Sequence, residues 1–112
     1  MTAYNRGDVV LVAFMFSDES GKKLRPAVVV SSAAYNRSRQ EIAVAAITSN
    51  IRRRFFGDYL IADWKGAGLL FPSLATGIFR TIKRTMVARK LGAMPGREME
   101  AIDLKLRQSL GL

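Results

Sequence analysis

Apolar residues come in short unbroken runs through the first two thirds of the chain, with polar clusters between them. The first run, Val9-Val10-Leu11-Val12-Ala13-Phe14, is rich in β-branched side chains and predicts a strand over residues 8–16. A polar, glycine-containing loop follows over residues 17–23. Pro26-Ala27-Val28-Val29-Val30 predicts a second strand over residues 26–31, and its lack of alternation predicts burial on both faces. Residues 32–40 read as a polar connection and residues 41–48 as a third strand. A basic loop, Arg52-Arg53-Arg54-Phe55-Phe56, leads to a short strand at Tyr59-Leu60-Ile61. Residues 63–68 read as a turn with one helical turn. Leu69-Leu70-Phe71 and residues 78–83 read as later strands, separated by Pro72-Ser73 and a loop holding Gly77.

Near residue 85 the period changes. Residues 86–91 predict a short helix stopped by Gly92. Pro95 then opens a longer helix, in which Met99, Ile102, Leu106 and Leu110 share one face and which Gly111 ends. That face is expected to pack on the sheet. Several short strands with a packed C-terminal helix make an α+β, mostly β fold, a small barrel or half-barrel. No repeat or linker interrupts the pattern, so residues 1–112 read as one domain.

Composition narrows the chemistry. With 49% hydrophobic residues the chain has material for a packed core, and a small domain this apolar suits a homodimer. It has no Cys, which suits a reducing cytoplasm, and no apolar run of membrane-spanning length. It has no His either, so neither an imidazole base nor a His metal ligand is available, and metal-independent chemistry without a cofactor is expected. Eighteen Lys and Arg against nine Asp and Glu give a net charge of +9, which favours an anionic partner. The excess is concentrated: between Asp63 and Glu98 every charged residue is basic.

Two positions stand out as carriers of chemistry. Arg25 lies where a polar loop meets an apolar strand, and Thr48 ends the third strand beside Ser49 and Asn50. If those strands are neighbours, a guanidinium and a hydroxyl face one anion, and a planar guanidinium fork suits a phosphodiester. Read singly, Arg25 equally suits a rim arginine paired to a carboxylate, and Thr48-Ser49-Asn50 an ordinary turn. Further candidate substrate contacts are Ser17, Glu19, Ser20 and Lys22 in the first loop, Ser49 and Asn50, and Arg52 and Arg53 in the basic loop. Trp64 reads as core. Phe55-Phe56 suits base stacking or a plain surface position.

In order along the chain, Arg6-Gly7-Asp8-Val9, Arg25-Pro26-Ala27-Val28-Val29-Val30, Ile47-Thr48-Ser49-Asn50, Asp63-Trp64-Lys65-Gly66-Ala67-Gly68-Leu69, Pro72-Ser73, Arg80-Thr81-Ile82 and Arg89-Lys90-Leu91-Gly92 closely resemble the MazF/PemK toxins of bacterial type II toxin–antitoxin systems. The resemblance covers essentially the whole chain. It implies an SH3-like barrel with a C-terminal helix, working as a homodimer. It also implies a metal-independent, sequence-selective endoribonuclease acting on single-stranded RNA, with Arg25 and Thr48 as its catalytic residues. The implied reaction is attack of a ribose 2′-hydroxyl on the adjacent phosphorus, leaving a 2′,3′-cyclic phosphate and a 5′-hydroxyl. The implied protein partner is an antitoxin with an acidic tail that folds on the toxin.

The chain departs from that pattern twice. Many relatives carry Gly-Ser-Glu-Gln in the first loop, where this chain has Ser17-Asp18-Glu19-Ser20. Many carry Arg-x-Asp where Pro72-Ser73-Leu74-Ala75-Thr76-Gly77 stands here. The general base is therefore not assigned by motif. Two other readings compete: a non-catalytic SH3-like module that binds RNA or protein, and a gyrase poison on the same barrel. The second relies on a tryptophan near the C-terminus, and here the only Trp is Trp64.

Overall fold

A computed structural model describes residues 3–15 and 22–112. The strands are β1 (Asp8–Met15), β2 (Lys22–Val29), β3 (Glu41–Thr48), β4 (Tyr59–Leu60), β5 (Leu74–Lys83) and β6 (Val87–Ala93). Two helices, α1 (Ala33–Ser38) and α2 (Gly96–Leu110), complete the fold, and a single 3-10 turn at Arg84–Met86 joins β5 to β6. The strands form one antiparallel sheet in the order β4-β5-β3-β2-β1-β6. Its two edge strands do not pair with each other, so the sheet is open, the half-barrel of the two expected forms.

The unbroken apolar runs are explained by two cores, one on each side of the sheet. Val9, Val28, Ala45 and Ile47 join Ile61, Leu69, Met94, Ile102 and Leu106 under α2. Val10, Val12, Ala27, Val29, Ile42, Val44 and Ile82 form the second core with Tyr4. Consecutive residues of β1 and β2 thus bury toward opposite layers, and each fully buried Val or Ile contributes about 1.5–3 kcal/mol. Trp64 packs partly buried against the first core, as its position predicted.

Helix α2 forms where its pattern places it. Pro95 is its N-cap, Gly111 its left-handed C-cap at φ 71, and the Gly111 N–H donates to the Arg107 carbonyl. Ile102 and Leu106 are buried and Met99 packs on the core, but Leu110 at the open end is exposed. Buried Glu98 ties the helix to the chain before Trp64. It accepts from Tyr59 Oη at 2.6 Å, Ala62 N at 3.1 Å and Asp63 N at 2.8 Å.

Five expectations are corrected. Strand β2 spans Lys22–Val29 rather than residues 26–31, so Arg25 lies within it, opposite Val12 of β1. Residues 86–91 are not a helix but the body of β6, which pairs along β1 from Asp8↔Ala93 to Val12↔Val87. The pairing skips Leu91 and Ala88, and each bulge resets the in–out phase, so no strand period survives in the sequence. Leu69-Leu70-Phe71 is not a strand: Gly68, at φ +87, turns the chain before it, and Pro72 lacks an N–H to continue a ladder. Strand β5 begins at Leu74 rather than residue 78, and Gly77 lies within it, close against the Phe56 carbonyl. Finally, the connection over residues 32–40 contains α1, whose N-cap Ser32 accepts from Tyr35 N at 3.1 Å.

Candidate active site

Strands β2 and β3 pair antiparallel from Ala27↔Ala46 to Val29↔Val44. The ladder starts at Ala27↔Ala46, so Arg25, two residues before it within β2, and Thr48, two residues after it at the end of β3, open onto one cleft of about 660 Å³. Pro26 and Ile47 line it from the same two strands, Ser49 and Asn50 from the segment just after β3, and Leu11 from β1. Its other walls come from residues 68–71 with Ser73, and from Arg89, Lys90 and Leu91 of β6.

Two glycines hold those outer walls together. A Cβ at Gly68 would collide with the Leu91 carbonyl, and one at Gly92 would stand 2.6 Å from the Ala67 carbonyl oxygen. Backbone lies on backbone there, so the turn over residues 63–68 seats against β6. The turn is braced internally: Gly66 N donates to Asp63 Oδ1 at 2.9 Å and Leu69 N to the Trp64 carbonyl at 3.0 Å. Leu70, 81% exposed, and Phe71, 62% exposed, then stand at the rim, and a smaller pocket of Ser49, Ile51, Phe71 and Pro72 continues the groove.

The cleft is electropositive and poor in internal partners. Arg25 is exposed and makes no hydrogen bond or ion pair with any described residue, and the same holds for Arg89. Lys90 is anchored at 3.0 Å to Asp8, a buried carboxylate that also accepts from Asn5 N at 2.8 Å. The Thr48 hydroxyl accepts from Asn50 N at 3.1 Å, which fixes the oxygen and leaves its O–H to donate outward. No carboxylate among the described residues lines the cleft. Among the described residues, no three acidic, His or Cys side chains come together as a metal site.

The other sequence-selected residues divide. Ser49 and Asn50 line the cleft beside Thr48. Arg52 and Arg53 are exposed outside it, with Arg53 5.4 Å from the centre of the Phe55 ring. Ser17, Glu19 and Ser20 lie outside the described residues, and only the backbone of Lys22 is described, as the first residue of β2. The wall formed by Leu69, Leu70, Phe71, Ser73, Arg89 and Lys90 was not among the site residues chosen from sequence. The acid-free stretch after Asp63 was the signal available for it.

A family model for the PemK-like, MazF-like toxin of type II toxin–antitoxin systems matches residues 5–110. The chain belongs to this family. Solved structures share its fold at low identity. One is a MazE–MazF complex from Deinococcus radiodurans, 21% identical, with a TM-score of 0.82 and coverage of 100% of this chain and 99% of that one. Another is an endoribonuclease in complex with its cognate antitoxin from a mycobacterial species, 20% identical, with a TM-score of 0.77 and coverage of 100% and 97%. MazF alone from Deinococcus radiodurans gives 21% identity and a TM-score of 0.78, with complete coverage of both chains. No curated protein matches the chain. Nor is any helix of the described residues long and apolar enough to cross a membrane.

Proposed function

We propose that this PemK/MazF-family toxin is a sequence-selective endoribonuclease that cuts single-stranded RNA in the Arg25–Thr48 cleft without a metal. The observation that carries the reading is the convergence, on one cationic cleft, of a guanidinium that pairs with no described residue and an outward-donating hydroxyl. In this reading the ribose 2′-oxygen attacks the adjacent phosphorus, the bond to the 5′-oxygen breaks, and the leaving 5′-oxygen takes a proton from water. The products are a 2′,3′-cyclic phosphate and a 5′-hydroxyl. Arg25 grips the non-bridging oxygens and offsets the charge that grows on them, and Thr48 donates to the same phosphate. Of the first-loop residues selected from sequence, only Glu19 carries a carboxylate to take the 2′-hydroxyl proton, and Glu19→Gln tests that role. Leu70 and Phe71 at the rim offer apolar surface to the flanking bases.

A protein partner and a second copy belong to the same reading. An antitoxin with an acidic tail would meet the same cations and rim that RNA meets, so the two compete. A homodimer is supported by apolar side chains gathered around one point: Gly57 lies against both Gly77 and Ser109, and the adjoining Phe56, Ile78 and Leu110 are all exposed.

The deciding experiment maps cuts by primer extension on a long RNA incubated with purified protein in EDTA. Discrete cuts at one short motif, lost in Arg25→Ala, are expected. Equal cutting by Arg25→Ala and wild type overturns the assignment. RNA binding with no cutting gives the protein to the class of binding modules instead.

A further inference from the structure

A second cationic pocket lies at the opposite end of β3. Arg37, Ser38, Arg39, Gln40, Lys83, Arg84 and Thr85 enclose about 410 Å³ where α1 meets the 3-10 turn. The register Glu41↔Lys83 brings the end of β5 beside the start of β3, and the backbone bond from Arg84 N to the Gln40 carbonyl, 2.9 Å, closes the corner. Strand β3 has eight residues, so at about 3.3 Å per residue this pocket is about 23 Å from Thr48.

Several features suit this pocket to a polyanion. Four cations converge and no described residue that lines it is acidic. Glu41 alongside is paired with Arg39 at 3.0 Å. The carbonyls at the end of α1, which would repel an anion, are occupied: the Arg84 guanidinium donates to the Asn36 carbonyl and, at 2.9 Å, to that of Arg39. Arg37 and Lys83 are exposed and pair with no described residue. Like charges held this close repel one another, and a bound anion relieves that repulsion.

The lining also selects the kind of anion. The cleft mixes cations with Leu69, Leu70, Phe71 and Leu91, whereas the second pocket has no apolar side chain at all. A peptide that folds on binding needs apolar anchors to offset its ordering, and an RNA backbone does not. We propose that this pocket is a phosphodiester-binding site that holds single-stranded RNA remote from the cut. It rests on the ribonuclease reading for its substrate and extends it: the cleft takes the cut segment, and the α1–β5 pocket takes backbone several nucleotides away without reading bases.

The test uses fluorescence anisotropy with 2′-O-methyl RNA, which lacks the attacking hydroxyl, in two lengths. One is about 4 nucleotides, the low end for a single small binding site and too short to join the two sites, and the other about 40. The double variant Arg37→Gln/Lys83→Gln changes exposed side chains only. It is expected to bind the long RNA about tenfold more weakly, with a salt slope shallower by about 1.4, the value for two lost single-strand phosphate contacts. The short RNA should keep wild-type affinity, and Arg37→Lys/Lys83→Arg should restore long-RNA binding. Unchanged long-RNA binding overturns the proposal, as does equal loss for both lengths, and so does a loss confined to an acidic protein partner. The two readings separate cleanly. Cutting that depends on Arg25 with no effect of the double variant removes only the second site. Long-RNA binding that depends on Arg37 and Lys83 in a protein that never cuts removes only the ribonuclease.

Discussion

Glu98 and Arg25 are both charged side chains, and their polar atoms end in opposite ways. The Glu98 carboxylate is buried and takes three donors, from Tyr59, Ala62 and Asp63, so both of its oxygens are engaged inside the protein. The Arg25 guanidinium is exposed and uses none of its donors on described residues. A satisfied buried charge ties α2 to the sheet. An unsatisfied one at the mouth of a cleft is strain-free in water and free to bind an anion. If that contrast is right, removing Arg25 affects reaction without stability, and removing Glu98 affects stability without the chemistry of the site.

The largest effect expected is on the Arg25 side. Arg25→Ala should lower cleavage by about 10²- to 10³-fold, the loss typical of one transition-state donor, while the thermal midpoint stays at the wild-type value. Arg25→Lys should recover little, because a point charge does not replace a planar fork. A midpoint that falls with Arg25→Ala would mean that the guanidinium is part of the scaffold.

Next comes Glu98→Ala. It leaves the Tyr59 hydroxyl and the Ala62 and Asp63 amides without their acceptor, and a loss of roughly 3 kcal/mol is expected in chemical denaturation. Activity per folded molecule, measured well below the midpoint, should be near wild type. Thr48→Val is smaller, about tenfold in cleavage, with Thr48→Ser close to wild type, because the lost element is one hydroxyl donor. A Thr48→Ser enzyme as weak as Thr48→Val would place the role of the residue in its methyl group and not in its hydroxyl.

The same contrast explains what could be read without coordinates. Helix α2 was legible because Pro95, the Met99-Ile102-Leu106 face and Gly111 are local signals within one helix. Arg25 and Thr48 were legible because each adjoins an apolar run that shows in the sequence, and the pairing of β2 with β3 brings the two positions together; that β2 continues through Lys22-Lys23-Leu24 before Arg25 was not. The outer wall of the cleft was not. Its position is set by the close approach of Gly68 to Leu91 and of Gly92 to Ala67, pairs far apart in the chain, and the two bulges erase the period of β6. The Glu98 tether was hidden for the same reason, since its donors lie 35 to 39 positions away. Helix α1 was different: Ser32 before Ala33-Ala34 is a capping signal, and six residues were too few for any periodicity to reinforce it.

The smallest expected effect sharpens the comparison through pH. Burial pushes the Glu98 pKa up, but the Tyr59 hydroxyl, the Asp63 and Ala62 amides and nearby Arg97 outweigh it, so the carboxyl sits below its ordinary 4.5. The same hydrogen bond, with burial and the carboxylate charge, pushes the Tyr59 phenol up from 10.0 to about 12. A depressed acid contributes stability above its unfolded pKa and loses it as pH falls through the folded value. A raised phenol contributes stability below its unfolded pKa and loses it as pH climbs from 10.0 toward 12. The tether should therefore weaken at both extremes and hold between them. Tyr59→Phe removes one hydrogen bond, about 1 kcal/mol at neutral pH, and should flatten the part of the alkaline decline that Tyr59 contributes. It should also shift the acid limb upward, because Glu98 loses a donor that holds its pKa down. Denaturation midpoints of wild type and Tyr59→Phe across pH read both limbs. An acid limb that does not move would show that the two backbone amides alone hold the Glu98 charge.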